Sequence, residues 1–377
     1  MKYFATVPLG IEEVAAEEVR EVGASSVTSD VGKVFYEGDL RLMYLSNFML
    51  RTVNRVFILI LRERFKDLND IGRLARSLTY SDFIKENMSF AVRAERHGTH
   101  DFTSIDVKRV VGAAIIESYM GEKGHRLKVN LDNPDVEFFV LVRNDEVIMG
   151  INTTGRSLHK RGYRVYNHPA ALKTTLAAAM VRLSQLKEGD ALLDPMCGGA
   201  TILIEAVHKL RRYPLIMFRS DFTFRKLLIH DEWLEAEVAE ELLEKTLFTQ
   251  HVVTGIDVSP KALEGAMKNL RAGFVDDTIK LLVGDAARTK SYEGVPATVI
   301  VTNPPYGMRS HNIKKIPKFY KEFLRILSDL YPGATLVAIT ASHKALEEAL
   351  NTVSASVLRK LDVMHGGLNA VIFVARI

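Results

Sequence analysis

Residues 301–310 read VTNPPYGMRS and continue the apolar run ATVIVT at 297–302. This segment sets two hydrogen-bond acceptors, the Asn303 side-chain oxygen and the Pro304 carbonyl, on a backbone whose φ angles are fixed by the rings of Pro304 and Pro305. Two stationary acceptors side by side suit one task. They can take the two hydrogens of a flat amino group and turn its nitrogen lone pair toward an electrophile. Tyr306, next in the chain, offers a face on which the ring bearing that amine can stack. Neither a metal nor a covalent intermediate is needed for such a step.

Three further carboxylates follow strand-like runs. LLDPMCGGAT (192–201) ends a run with Asp194 and continues through Gly198 and Gly199 to Thr201, which opens a helix. TGIDVSP (254–260) ends the next with Asp257, and LLVGDAAR (281–288) ends a third with Asp285. One Asp after a strand is commonly a helix N-cap. Three in consecutive units, with NPPY in the fourth, mark the carboxyl edge of a doubly wound sheet, where such folds bind ligands. The glycines let a ligand approach the backbone, but the G-x-G-x-x-G spacing is absent, which argues against NAD and FAD.

At these residues the chain resembles the class I S-adenosylmethionine-dependent methyltransferases. The resemblance covers 187–377, with DPMCGGAT, GIDVSP, GDAAR and NPPYG in the family's order. It implies that Asp194, Gly198 and Gly199 border the methionine part of the cofactor, Asp257 the ribose, and Asp285 with Ala286 the adenine. Pro195, Cys197, Thr201, Val258 and Asn303 are expected at the same cofactor site. The amine held by Asn303 and Pro304 would then face a methyl sulfonium. Adenine N6, cytosine N4, guanine N2 and a glutamine side chain all remain open as acceptors. Methylation at pyrimidine carbon five requires a thiolate, and the one cysteine, Cys197, lies in the cofactor loop. An insert of 40 residues at 211–250, with FTFRKLLIHDEW inside it, is similar to the aromatic-rich insert of guanine-N2 RNA methyltransferases.

The elements that position these residues are α/β throughout. Strands alternating with helices from 190 onward predict a Rossmann-like parallel sheet of about seven strands, covered on both faces. Before it, PAALKTTLAAAMVRLSQL (169–186) predicts a helix with Pro169 in its first turn. Residues 1–64 read β-α-β-α-β and look like a ferredoxin-like domain. Residues 65–155 contain AVRAERHGTHDFTSIDVKRVVGAAI, which resembles the THUMP domain, an RNA-binding module of tRNA-modifying enzymes. Asn144 and Asp145 predict a tight hairpin turn within it. Residues 156–186 form a basic linker and helix, and 187–377 the methyltransferase domain.

That order resembles the archaeal and bacterial tRNA guanosine-N2 methyltransferases acting on the sixth nucleotide, in the acceptor stem, where the THUMP domain holds the 3′ end. Related enzymes acting on the tenth nucleotide carry Asp in place of Asn303, and guanine-N2 enzymes of 23S rRNA share NPPYG, so rRNA is the alternative substrate. The net charge of +4 is too small to mark a nucleic-acid binder, so the footprint must be local. Two basic runs supply it, GRSLHKRGYR (155–164) and RSHNIKKIPKFYK (309–321). Arg156, Lys160, Arg161, Arg164 and Lys315 are the expected RNA contacts. His97 and His100 lack a third ligand, so no metal is expected. With 377 residues, no apolar run of membrane length and no signal-peptide pattern in MKYFATVPLG, the reading is a cytoplasmic, monomeric enzyme of several domains. Only two Gln amid abundant Lys, Arg and Glu follow the compositional drift of thermophile proteins.

Overall fold

The computed structural model describes residues 1–307 and 315–377, so Arg309 and Lys314 of the second basic run lie outside the described residues. The first half contains β1 (Lys2–Thr6), α1 (Glu12–Glu21), β2 (Ser25–Asp30), β3 (Lys33–Glu37), α2 (Leu40–Met49) and β4 (Arg55–Arg64). It continues with α3 (Leu68–Arg76), β5 (Ser89–His97), α4 (Ser104–Lys123), β6 (Lys128–Val129), β7 (Val136–Arg143) and β8 (Glu146–Asn152). Local chemistry sets the ends of these elements. Thr103 and Asp106 form a capping box at the start of α4, and Gly124 in the left-handed conformation closes it. Asn144 turns the β7–β8 hairpin at φ +52.

All eight strands form one sheet in the order β2-β3-β1-β4-β8-β7-β5-β6. The ten-residue β4 makes this possible, because it pairs with β1 along one edge and with β8 along the other. The ferredoxin-like and THUMP-like portions therefore share a continuous hydrogen-bonded ladder.

The second half begins with α5 (Thr174–Leu183). This corrects the expected helix from Pro169. The backbone from Tyr166 to Ala170 is committed to other partners, so helical bonding starts only after Lys173. Then follow β9 (Ala191–Asp194), α6 (Thr201–Leu210), α7 (Glu232–Glu244), β10 (Val252–Asp257), α8 (Pro260–Ala272), β11 (Ile279–Val283) and β12 (Val299–Thr302). Last come α9 (Ile316–Leu330), β13 (Thr335–Thr340), α10 (His343–Thr352), β14 (Ser356–His365) and β15 (Leu368–Arg376). The seven strands lie in the order β11-β10-β9-β12-β13-β15-β14, the first five parallel and β15 antiparallel to both neighbours. The chain winds outward from β9 to β11 and returns to β12 on the other side of β9. The reversal opens a crevice between the carboxyl ends of β9 and β12, which carry Asp194 and Asn303.

The halves are fused rather than tethered. One hydrophobic cluster runs from Tyr3 through Leu176 and Val207 to Ile372. At its centre lies a buried polar network. Glu205 of α6 accepts from Arg51 at 2.9 Å, from Arg161 at 3.1 Å and from Tyr163 at 2.7 Å. The two guanidinium groups hold this carboxyl down at about 2 despite its burial, and Arg161 Nη2 also donates to the Arg51 carbonyl at 2.8 Å. The 211–250 insert adds a second tie. Phe222 and Phe224 stack at 5.3 Å and meet Phe48 of α2 edge-on, while Tyr44 bonds the His230 ring and the Asp231 backbone.

Candidate active site

The loop after β9 is laced to the end of β10. Asp257 accepts the Gly198 N–H on Oδ2 and the Ser259 N–H on Oδ1, both at 2.9 Å, and Cys197 N donates to the Ile256 carbonyl at 2.9 Å. Gly198 takes φ +52, and Ala200 holds the same left-handed region at φ +63, a strained position for a residue with a Cβ. Thr201 then starts α6. Asp194 is 1 % exposed and accepts the Met196 N–H at 3.2 Å. Burial lifts its carboxyl to about 7, and the nearby Asp257 charge pushes the same way. The Cys197 thiol is raised well above its usual value by burial and by Asp194, so it offers no thiolate.

Asp285 caps its own loop by accepting from Ala287 N at 3.0 Å, and its backbone exchanges two bonds with the Ser291 hydroxyl. Ala286 is buried, with its carbonyl held by Tyr292 at 2.8 Å. Val258 and Val283 stand 70 % and 62 % exposed at the ends of β10 and β11. Asp257 and Val283 are register partners, so Val258 follows directly on that pair, an apolar step between two carboxylates.

On the other side of the crevice, Asn303 is fixed at both ends of its amide. Nδ2 donates to the Ala170 carbonyl at 3.4 Å, and Oδ1 accepts the Tyr306 hydroxyl at 2.7 Å. Pro304 is buried and Pro305 exposed. The turn hangs from two hydroxyls. Tyr320 donates to the Pro305 carbonyl at 2.9 Å and shares a 2.8 Å bond with Thr340, and Ser342 donates to the Tyr306 carbonyl at 3.0 Å. Burial pushes the Tyr306 phenol above its usual range, so it stays a donor at neutral pH.

The linker forms a wall of this site. Asn269 of α8 clasps Tyr166, accepting its N–H at 2.8 Å and donating to its carbonyl at 3.0 Å, and the same amide donates to the Gly199 carbonyl at 3.0 Å. The Tyr166 ring lies flat on Gly265, where a Cβ would fall 2.3 Å from Cδ1. His168 packs over Gly198. Composition alone pointed to none of Tyr166, His168, Asn269, Tyr320, Ser342 or Val283. A signal existed for two of these contacts, because Asn269 and Gly265 are poor residues for a helix interior unless a side chain or a close approach requires them.

The expected RNA contacts divide. Arg161 is corrected: its side chain is 1 % exposed and spent on Glu205, Leu158 and Arg51, so it presents nothing to a phosphate. Arg164 is likewise turned inward, donating to the Leu172 carbonyl and to Thr201 Oγ1. Arg156 is half-exposed and pairs with Asp221 at 3.0 Å. Lys160 and Lys315 are exposed. Among the described residues no group of three or more His, Cys, Asp or Glu could hold a metal ion, and no helix is long and apolar enough to cross a membrane.

Three family models match this chain: an RlmL ferredoxin-like domain over 2–57, a THUMP domain over 65–152 and an RMKL-like methyltransferase domain over 161–371. A tRNA (guanine(6)-N2)-methyltransferase of Methanocaldococcus jannaschii is 40% identical, covering 99% of both chains. Another of that name from Archaeoglobus fulgidus is 38% identical, over 99% of this chain and 92% of its own. Among solved structures, SMU.472 in complex with SAH superposes with a TM-score of 0.86 at 23% identity, covering 99% of this chain and 97% of that one.

Proposed function

Since the chain belongs to the THUMP-bearing, RMKL-like methyltransferase family, we propose that it methylates the N2 amine of a guanosine in the tRNA acceptor stem, at the sixth nucleotide, using S-adenosylmethionine. The observation that carries the reading is Asn303. Its amide is fixed in orientation at the mouth of β12, directly across the crevice from the loop laced to Asp257.

The residues present fit the cofactor. Gly198 and Gly199 leave room for close approach, buried Asp194 suits the ammonium of the methionine part, and Asp257 keeps carboxylate lone pairs for ribose hydroxyls beyond its two backbone bonds. Val258 and Val283 provide an apolar bed for adenine, with Asp285 and Ala286 at its edge. When bound, S-adenosylmethionine supplies a methyl group on a sulfonium, which takes up the amine's electron pair as the carbon–sulfur bond breaks. Asn303 Oδ1 and the Pro304 carbonyl accept the two amine hydrogens and aim the nitrogen lone pair. One of those hydrogens leaves for solvent as the N–C bond forms. Asn303 Oδ1 has two lone pairs, so it serves the amine alongside the Tyr306 hydroxyl. The face of Tyr306 supports the flipped base.

In this reading 1–64 is the ferredoxin-like domain, 65–155 holds the tRNA 3′ end, 156–186 links the halves and 187–377 is catalytic. Arg156, Lys160 and Lys315 contact phosphates, and the enzyme works as a cytoplasmic monomer. Ribosomal RNA is the weaker substrate, because both archaeal relatives above are named for tRNA. The test is to incubate the protein with labelled S-adenosylmethionine and unmodified tRNA transcripts, then identify the labelled nucleoside and its position. N2-methylguanosine at nucleotide six is expected. Label in rRNA alone would overturn the substrate.

A further inference from the structure

The basic run at 155–164 turns Arg161 and Arg164 inward, yet a different set of cations gathers around its one histidine, His159. His159 is half-buried, and burial holds its ring down at about 4, with Lys173, Lys160, Arg161 and Arg55 all pushing the same way. Arg161 is committed to Glu205. Among the described residues the other three form no ion pair: Lys160 and Lys173 are exposed, and Arg55 engages only its Nε, with the Gly155 carbonyl at 2.9 Å.

The tautomer of His159 follows from its neighbours. The Ser157 hydroxyl donates to the Asn54 carbonyl at 3.0 Å, so in its 2.7 Å bond to His159 the ring Nδ1–H is the donor. Nε2 is then a bare lone pair, with no partner among the described residues and not sealed from solvent. Chain connectivity sets its distance from the reacting amine. The Thr174 hydroxyl donates to the His159 carbonyl at 2.8 Å, and Lys173 lies three residues beyond Ala170, whose carbonyl meets the Asn303 amide. Three residues span at most about 11 Å. At about 3.4 Å per nucleotide along a strand, the group stands within a few nucleotides of the base at Asn303.

We infer that His159, Arg55, Lys160 and Lys173 form a site for the RNA backbone beside the target nucleotide, Nε2 accepting a ribose 2′-hydroxyl while the three cations take the flanking phosphates. Granted the RNA substrate proposed above, on which this site depends, phosphate is common to both nucleic acids, whereas the 2′-hydroxyl separates RNA from DNA. An imidazolium has no lone pair for a hydroxyl, so the neutral ring gives the site its selectivity.

The experiment measures binding and methylation of tRNA transcripts that carry 2′-deoxy substitutions at the nucleotides on either side of the target, one per transcript. At one of them the wild type should lose roughly threefold to tenfold in kcat/KM, as expected for a single hydrogen bond. His159→Ala should lose as much on the all-ribose tRNA and be indifferent to that substitution, and His159→Gln, which puts back a carbonyl acceptor, should regain part of the sensitivity. Lys173→Gln, at an exposed side chain, should flatten the slope of log Kd against log salt by about 0.7 to 0.9, a change that a structural role would not produce. Indifference of the wild type to every 2′-deoxy substitution, continued sensitivity in His159→Ala, or an unchanged salt slope in Lys173→Gln would each overturn the inference. A wild type that neither binds nor methylates tRNA would sink the RNA substrate itself and this site with it, a result distinct from tRNA that is bound and methylated with no 2′-hydroxyl effect.

Discussion

Tyr306 donates its hydroxyl to Asn303 Oδ1 at 2.7 Å, while the other end of the same amide donates to the Ala170 carbonyl. Asn303 therefore has its oxygen oriented by two contacts from different parts of the chain before any amine is present. Preorganised acceptors of this kind lower a barrier because they need not rearrange during the reaction.

Asn303→Ala should abolish turnover and leave S-adenosylmethionine binding intact. Tyr306→Phe keeps the stacking face and loses only the hydroxyl, so kcat should fall roughly tenfold with KM little changed, whereas Tyr306→Ala should raise KM as well. Steady-state kinetics on tRNA separates the two. If Phe and Ala behaved alike at position 306, the hydroxyl would have no role of its own.

Asp194 sits at about 7, so it is largely protonated below that pH. Gripping a cation requires the ionised form, and binding should release a proton. Calorimetric titration of S-adenosylmethionine should therefore show affinity rising from pH 6 to pH 8 in the wild type and a much flatter profile in Asp194→Asn. A wild-type affinity flat across that range would remove Asp194 from the cofactor's ammonium.

A methyl group at Gly265 would collide with the Tyr166 ring. Gly265→Ala should destabilise the protein by about 1–3 kcal/mol and displace the linker that meets Asn303. Adding Tyr166→Ala should relieve the clash and return part of the lost stability. Denaturant melts of the single and double variants test this, and strict additivity would contradict the contact.

His208 is buried with Nε2 bonded to the Gly273 carbonyl at 2.8 Å and Nδ1 facing Arg51 at 3.3 Å, an arrangement for the neutral ring. Burial and the Arg51 charge hold it down at about 3. Between that value and the ordinary histidine range the unfolded chain binds the extra proton, so this residue makes stability fall as pH drops from about 6.5 toward 3. Asp194 acts with the opposite sign between about 4 and 7. The informative quantity is thus the difference in melting temperature between wild type and His208→Gln, which should shrink as pH falls. A constant difference would contradict the titration of His208.

Residues at the ends of strands were legible because their chemistry is local. Asp194, Asp257, Asp285 and Asn303 follow apolar runs, and the alternating pattern fixes which edge of the sheet they occupy. The second strand was not legible: SSVTSD has no apolar alternation and is held only by pairing with β3. The basic run at 155–164 failed for a different reason. A string of arginines reads alike whether it faces solvent or core, and the partner that buries Arg161 is Glu205, far along the chain in a helix with its own reason to exist. Likewise, the aromatic insert was visible, but not its partners Tyr44 and Phe48.

One hydrophobic cluster, from Tyr3 to Ile372, joins the two halves of the chain. Heating should produce one calorimetric transition spanning the whole chain, in place of separate melting of an RNA-binding half and a catalytic half. Reaching the crevice demands movement of the nucleic acid, whose acceptor helix has to open at the target pair and bring the base in, and stems with weaker pairing there would be modified faster.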